Sequence, residues 1–199
     1  MQKKLILLVG VCLLLVVPGL ISCAGKEEKA TQENFKPPVV TLNRVEVAHY
    51  WGYWYYDSKV PVTKGKAGNN GAPLDLNFIF DINNPNPYPV ALESLNFTVA
   101  FEDFDLNTVG SQEEMWIPAG KTNQLRVSAL FDVRQSLLSL LVTGGFKLKE
   151  KGIAAHDQLE KWWTGIPDFA FPVQVKEGSA VFKADDVTGV AAFSATYPK

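Results

Sequence analysis

The sequence predicts an all-β fold with minor α content, an antiparallel β-sandwich, and three observations support this. Segments with an apolar residue at every second position recur along the chain, as expected for half-buried strands. Turn signals rich in glycine, proline and asparagine separate these segments. One segment near residue 133 changes to helical spacing. Many short strands with one helix favour two packed sheets with the helix at one end.

Residues 1–22 are predicted to be a lipoprotein signal peptide. Lys3 and Lys4 precede an apolar run whose most uniform part, Leu5 to Val17, is 13 residues long. At roughly 1.5 Å per residue, this run is shorter than the ~30 Å hydrocarbon core of a bilayer. A charged start, a short apolar core and small residues before a cut site are the parts of a secretory signal. An uncleaved membrane helix is the alternative.

The string Leu20-Ile21-Ser22-Cys23 resembles the lipobox of bacterial lipoproteins. The resemblance implies diacylglycerol on the Cys23 sulfur, cleavage before this residue and acylation of its new amine, which together make a durable anchor. Cys12 would leave with the signal, so the mature chain would keep no thiol for a disulfide, a metal or catalysis. Ala24 follows Cys23, which by the same resemblance favours the outer membrane, on its periplasmic side, in a Gram-negative cell.

Residues 23–38 are predicted to form a lipidated flexible tether, and residues 39–199 a single domain. The tether is too polar to offset the entropy of ordering it, whereas the domain is long enough to bury a substantial core. Removal of Lys3 and Lys4 leaves 17 basic residues against 21 acidic ones, a formal charge of −4. No basic stripe is present, so binding of nucleic acid is not predicted.

The first strand region, from Val45 onward, is rich in aromatic residues. Its odd positions alternate as in a strand, but Tyr50 and Trp54 make the other face aromatic as well. This pattern indicates a long strand with a covered outer face, or an exposed aromatic ridge that meets protein or lipid clients. The alternative is that these rings cover the sandwich edge or pack with Trp162 and Trp163. The candidate ridge consists of Trp51, Tyr53, Trp54 and Tyr55.

The next strand is the clearest in the chain, because Leu74 to Ile82 alternate with polar residues, Ile79 excepted. A Gly- and Asn-rich loop over 62–73 precedes it. Three prolines at alternate positions end it, so Asn84, Pro85 and Asn86 are predicted to form a structural turn in which the amides bond to the backbone. The functional alternative is that Asn84 and Asn86 contact a ligand.

The rest of the chain contains strands and two helices. One packed helix is predicted at about 132–143, capped by Asp132 and stopped at Gly144. A second short helix is predicted at about 156–163, with Leu159 and Trp163 directed inward. Further strands are predicted over 95–101, at 116–117, over 125–131, around Phe146 and Leu148, and over 169–175, 180–183 and 187–194.

The order of these features resembles the late-embryogenesis-abundant group 2 family, also called the WHy (water stress and hypersensitive response) domain. The residues that carry the resemblance are Asn84-Pro85-Asn86, Ile117-Pro118-Ala119 and Leu137-Leu138, with the strands between them. The resemblance covers about residues 38–143. It implies an immunoglobulin-like or fibronectin-III-like sandwich with one helix, a role in desiccation and other stress, and no known catalytic centre. The aromatic run and residues 147–163 depart from the family pattern.

No catalytic residue, cofactor or metal site is predicted. His49 and His156 each lack a second ligand at metal-binding spacing, and Asp103 with Asp105 lacks the pattern of a twelve-residue calcium loop. The sequence contains no nucleophile elbow, phosphate loop or dinucleotide fingerprint. We therefore expect a protein that is not an enzyme.

Three functions remain open from the sequence. The leading hypothesis is an envelope lipoprotein of the WHy type that binds or protects envelope components under stress. The first alternative is a module that binds or transfers lipid or another hydrophobic ligand, and this requires an apolar groove between the sheets. The second alternative is a scaffold lipoprotein with one fixed protein partner.

Overall fold

The fold is an antiparallel β-sandwich, as the sequence predicts, and it has three helices at one end where the sequence predicts two. The computed structural model describes residues 28–56 and 71–198. The strands are β1 (Val39–Tyr50), β2 (Pro73–Asn83), β3 (Val90–Phe101), β4 (Phe104–Ser111), β5 (Met115–Ile117), β6 (Thr122–Asp132), β7 (Val173–Ala184) and β8 (Val187–Tyr197). The helices are α1 (Val133–Val142), α2 (Gly145–Lys151) and α3 (Ala155–Gly165), with short 3₁₀ turns at Tyr53–Tyr55 and Ile166–Asp168.

Two antiparallel sheets make up the sandwich. The first sheet has the order β1-β2-β6, and the second has the order β4-β3-β7-β8, with β5 also paired to β3. β4 and β5 pair with successive parts of β3, so they form one interrupted edge strand. β8 is the opposite edge of the same sheet.

The registers define two ends of the sandwich. Asn83 pairs with both Val39 and Thr122, and the strand ends at these three residues make what we call the entry end. Pro73, at the other end of β2, pairs with Asp132, which leads directly into α1. We call this second end the helical end. The 11 residues of β2 separate the two ends by about 35 Å at the usual rise per residue.

Aromatic rings fill the space between the two sheets. Phe97 of β3 contacts Phe78 and Phe80 of β2, with ring centroids 5.1 and 5.2 Å apart, and Phe193 of β8 lies 5.4 Å from Phe80. The rings meet edge to face or tilted, the arrangements that aromatic pairs prefer. The alternating apolar positions of β2, β3 and β6 are buried as predicted.

At the helical end, two tryptophans of α3 close the core. Trp162 packs against Phe101 and Phe104, and the Trp163 indole N–H donates to the carbonyl of Ala72 at 2.9 Å. Both rings are fully buried. The predicted helices at 132–143 and 156–163 are therefore present, with Asp132 accepting a hydrogen bond from the Arg134 amide as the N-cap.

Three predicted segments differ in the structure. The residues around Phe146 and Leu148 form α2 and not a strand, because only Leu148 is buried and Gly152 ends the helix in the left-handed region. The two predicted strands over 169–175 and 180–183 are one strand, β7, in which Glu177 takes a positive φ at a register shift. β4 was not predicted, since its second half alternates only weakly in hydropathy.

The N-terminal segment also differs from its prediction as a flexible tether over 23–38. Residues 28–38 lie against the entry end, where the Ala30 amide donates to Asp185 at 3.0 Å. Phe35 packs on Gly189 of β8, where a side chain on the glycine would meet the Phe35 ring. The ordering entropy of this polar segment is offset by hydrogen bonds to the domain, which its composition alone does not reveal.

Glu102 joins the β3–β4 turn to α3. Its carboxylate accepts hydrogen bonds from Gln158, Lys161 and Trp162. Burial raises the pKa of Glu102, but the hydrogen bonds and the Lys161 charge lower it by more, so its pKa lies below the ordinary value. The residue adopts a positive φ of 54°, and its bonds to α3 offset the cost of that conformation.

We expect Glu102→Gln to lower the free energy of unfolding at neutral pH by about 2 kcal/mol, because charge-assisted hydrogen bonds are lost. Since the pKa of Glu102 is lower in the folded chain, its contribution is full above the unfolded pKa and disappears as the pH falls through the folded pKa. Urea unfolding between about pH 3 and 7 should therefore show a steeper loss of stability below about pH 5 in the wild type than in the variant.

Asp103→Asn is the matched control for this experiment. The pKa of Asp103 is also lowered, first by its hydrogen bond with Lys151, but the pair is exposed and exposed ion pairs contribute little. The control should keep most of the wild-type stability. Equal pH slopes in the wild type and Glu102→Gln would contradict the role of Glu102.

Candidate interaction surfaces

The predicted aromatic strand ends at Tyr50, and the aromatic run beyond it turns across the helical end. The Trp51 amide donates to the Pro73 carbonyl, and the chain then enters the 3₁₀ turn Tyr53–Tyr55. Register shifts occur after Leu42 and after Val47. Because of these shifts, Tyr50 faces the core and His49 is exposed. The alternation of residues in the sequence did not predict this exchange of faces.

The rings of this run divide between packing and exposure. The Tyr50 hydroxyl donates to the carbonyl of Trp163, and Tyr56 is buried. Trp54 is 83% exposed and Trp51 is 37% exposed. Tyr55 contacts both of these indoles edge-on, at 4.3 Å from Trp51 and 5.7 Å from Trp54.

The predicted ridge is therefore a small aromatic surface, centred on Trp54, whose rings support one another. Tyr53 lies partly buried on the side toward α3, where burial and the nearby carboxylates of Glu160 and Asp157 raise its pKa. The Trp51 indole donates to His49, so the exposed imidazole positions a tryptophan of this surface.

The Asn84-Pro85-Asn86 turn is buried at the entry end. The Asn84 side-chain amide donates to the carbonyls of Tyr88 and Ile117 at 2.9 and 3.1 Å. Its side-chain oxygen accepts the backbone and side-chain N–H groups of Asn86. Asn86 in turn exchanges two hydrogen bonds with the backbone of Lys36.

These amides join the N-terminal segment, the β2–β3 connection and the β5–β6 turn. Asn84 and Asn86 are almost completely buried, and their hydrogen bonds are made to the protein itself. The arrangement fits the predicted structural turn and leaves neither amide directed at an open site.

Two open clefts lie at the entry end on either side of Trp116. Their volumes are about 470 and 360 Å³, and both are lined by Trp116 and Asp185. Glu28, the first residue of the described N-terminal segment, lines the larger one. An exposed tryptophan therefore stands beside the point where the chain enters the domain.

A surface that the sequence analysis missed lies on α1 and α2. Phe146 is 89% exposed, although the alternation of apolar residues there predicted a half-buried strand. α1 buries one side through Val133 and Leu140, and its other side is also apolar. More of the circumference of this helix is apolar than one packed face can bury. This excess of apolar residues is the feature of the sequence that could have predicted the exposed surface. This helical patch consists of Leu138, Leu141, Val142 and Phe146.

Asp103 and Asp105, which the sequence analysis considered as a calcium pair, are each paired with a lysine of another element, as is their neighbour Glu102. Glu102 pairs with Lys161 and Asp103 with Lys151, and Asp105 pairs with Lys176 at 2.6 Å. Within residues 28–56 and 71–198, no three acidic, histidine or cysteine side chains form a metal-binding group. His156 is exposed at the start of α3.

Other predicted features lie outside the described residues. These are the signal peptide over 1–22, Cys23, and most of the loop over 62–73. In the part of the chain that is described, no helix is long and apolar enough to cross a membrane.

Comparison with known proteins gives only distant similarities. No protein-family model matches the sequence, and no curated protein matches it. A crystal structure of a protein from Archaeoglobus fulgidus is 12% identical, with a TM-score of 0.40 over 78% of this chain and 94% of that one. An X-ray structure of a Northeast Structural Genomics Consortium target is 8% identical, with a TM-score of 0.42 over 80% and 84%. At these TM-scores neither similarity supports a statement about function.

We expect Asn84→Ala to lower the free energy of unfolding by about 3 kcal/mol, because several buried backbone groups lose their partner at once. Asn83→Ala is the matched control, because the Asn83 side chain is exposed and donates to the Thr122 hydroxyl, so its loss should cost below about 1 kcal/mol. Urea unfolding of the two variants measures the difference. Equal losses would show that the buried amide is not what holds the entry end together.

Proposed function

We propose that the chain is a non-catalytic lipoprotein of the cell envelope, of the late-embryogenesis-abundant group 2 or WHy type. Lipid on Cys23 anchors it, on the periplasmic side of the outer membrane in a Gram-negative cell. The domain binds and shields envelope components during desiccation and related stress. The observation that carries the proposal is the string Leu20-Ile21-Ser22-Cys23 after a short apolar run.

The N-terminal segment limits the distance between the proposed anchor and the domain. Residue 28 already lies against the entry end, so only five backbone steps separate Cys23 from the domain. Fully extended, these steps span about 17 Å. The domain would therefore be held close to the bilayer, with its entry end nearest the lipid.

Exposed aromatic rings support a binding role. Trp54 has most of its side chain in solvent, and tryptophan provides a large contact area with a polar N–H at its edge. Such a residue also favours the scaffold alternative, in which one fixed protein partner meets the aromatic surface. Loss of a specific partner on Trp54→Ala would favour the scaffold, whereas unchanged partner recovery would favour general shielding.

The filled core argues against the ligand-carrier alternative. Phe78, Phe80 and Phe97 touch across the two sheets, where an acyl chain would need space. The clefts beside Trp116 are open at the surface, and each has charged side chains in its wall, such as Glu28 and Asp185 in the larger one and Glu93 and Lys183 in the smaller one. An enclosed apolar cavity would suit an acyl chain better.

We expect Cys23→Ala to abolish lipid modification of the protein, because the sulfur that carries diacylglycerol is removed. Cys12→Ala is the matched control and should behave as the wild type, since this thiol leaves with the signal. Labelling of cells with radioactive palmitate, followed by immunoprecipitation, measures the modification. Label on the Cys23→Ala protein, or its absence from the wild type, would overturn the anchor.

We expect deletion of the protein to lower survival after drying and after osmotic shock. Re-expression of the wild type should restore survival, and re-expression of Cys23→Ala should not, because the domain is then no longer held at its membrane. Colony counts measure the effect. Survival of the deletion strain equal to that of the parent would contradict the stress role while leaving the anchor intact.

A further inference from the structure

The helical patch is an apolar surface of four side chains that no element of residues 28–56 and 71–198 covers. Leu138, Leu141 and Val142 have the spacing of one helix face on α1, and Phe146 begins α2 beside them. All four are more than half exposed. Contiguous exposed apolar groups of this kind mark contact sites for proteins or membranes.

The charge around the helical patch is opposite to that of the whole chain. Residues 133–151 contain four basic residues and one acid, Glu150, a net charge of +3, whereas the full chain has a formal charge of −2. Lys147 and Lys151 lie over the Phe104 ring, where Asp103 pairs with Lys151. Lys149 is exposed on the same short helix. Basic residues around exposed Phe, Leu and Val side chains fit an anionic, partly apolar surface.

At the helical end, α1 and α2 lie beside the first residues of β4, an edge strand of the second sheet. The Ser139 hydroxyl donates to the Leu106 carbonyl of β4, and the Lys147 ammonium donates to the Asp103 carbonyl beside β4. β5, which carries exposed Trp116, continues the same edge toward the entry end. This edge therefore has an exposed apolar group at each end. The exposed acids Glu113 and Glu114 lie in the β4–β5 loop of the same edge, so the basic charge that favours anionic lipid is confined to the helical end of this edge.

We propose that the helical patch docks on the anionic bilayer that holds the lipid of Cys23, so that the sandwich lies with its β4–β5 edge along the membrane. This inference rests on the proposed lipid anchor. The helical end, where the patch lies, is about 35 Å from the entry end along the strands, and the link to Cys23 spans at most about 17 Å. A domain standing on its entry end would hold the patch far from lipid, so docking requires the lying orientation.

The anchor makes a bilayer the favoured occupant over a second copy of the chain. A symmetric contact between two copies would oppose the basic residues of α1 and α2, and like charges repel. A tethered patch meets its own membrane at a high effective concentration, so a weak contact suffices. A lipid chain combined with a basic patch is a common two-part membrane attachment.

The orientation can be measured with a probe on a single introduced thiol. In the mature lipoprotein the Cys23 sulfur is blocked by lipid, so a new cysteine is the only free one. Gly145→Cys is suitable beside Phe146, because a side chain there meets no atom within 4 Å. Val190→Cys is the control position, since it is exposed on β8, the edge opposite β4.

Each labelled lipoprotein is reconstituted into vesicles that contain a lipid-borne fluorescence quencher. One set of vesicles is phosphatidylethanolamine with phosphatidylglycerol, and the other is zwitterionic phosphatidylcholine. Docking predicts strong quenching of the probe at residue 145 in the anionic vesicles, weaker quenching in the zwitterionic ones, and little quenching at residue 190 in either.

Substitutions in the patch test its contribution. Leu141→Ser should lower the ratio of docked to undocked protein by about tenfold, because a large apolar side chain no longer enters the membrane interface. Lys149→Gln should lower this ratio by about fivefold in anionic vesicles alone. Val190→Ser is the matched control, since Val190 and Leu141 are both 57% exposed, and it should change nothing.

Flotation of the vesicles separates failure of the docking from failure of the anchor. Protein that floats without quenching at residue 145, or with equal quenching in both lipids, would overturn the docking and leave the anchor intact. Protein that does not float, but is quenched at residue 145 by added anionic vesicles, would support the docking and overturn the anchor. Absence of both signals would overturn both proposals and leave a protein partner as the occupant of the patch.

Discussion

The buried amide of Asn84 joins chain segments that are far apart in sequence, and the geometry of the entry end depends on it. It donates to the carbonyl of Tyr88 in the β2–β3 connection and to the carbonyl of Ile117 at the end of β5. Its oxygen accepts the side-chain N–H of Asn86 and so orients that residue. Asn86 then holds the backbone at Lys36. A buried amide without partners would be costly, so these segments are held together as a unit. The same bonds fix where the segment over 28–38 meets the domain.

At the helical end, the Glu102 carboxylate and the indoles of Trp162 and Trp163 hold the elements in place. Glu102 ties the β3–β4 turn to α3, and Trp162 and Trp163 of that helix close the aromatic core. With α3 fixed in this way, α1 and α2 are left on the β4 edge with an apolar face in solvent. The same packing leaves Trp54 exposed beside the end of β1.

The exposed groups are concentrated at the ends and on one edge of a sandwich whose interior is full. Such a molecule has little room for a ligand between its sheets and considerable surface for contacts. A lipid anchor at the entry end would make these contacts depend on how the domain lies on the membrane. The proposed stress role and the proposed orientation are thus linked through residues 23–28, which set the distance between lipid and domain.

The sequence by itself determined the sandwich, its clearest strands and two of its helices. Period-two alternation in β2 and β6 fixes which residues share a face, and the cap at Asp132 fixes where α1 begins. The prolines around Asn84 and Asn86 also predicted a turn in which the amides bond to the backbone. These features were predictable because each depends on residues that are close together in the chain.

Only the tertiary structure decided which surfaces are covered. Spacing groups Leu137, Leu140 and Leu141 on a helix, but Leu140 is buried and Leu141 is exposed because β4 and α3 approach from one side. The aromatic strand ends at Tyr50 because the ladder to β2 ends there. The polar segment over 28–38 is ordered because Asp185 and Asn86 supply its partners from 155 and 50 residues away in the sequence. Periodicity specifies the face of an element, whereas the partner of that face comes from distant parts of the chain.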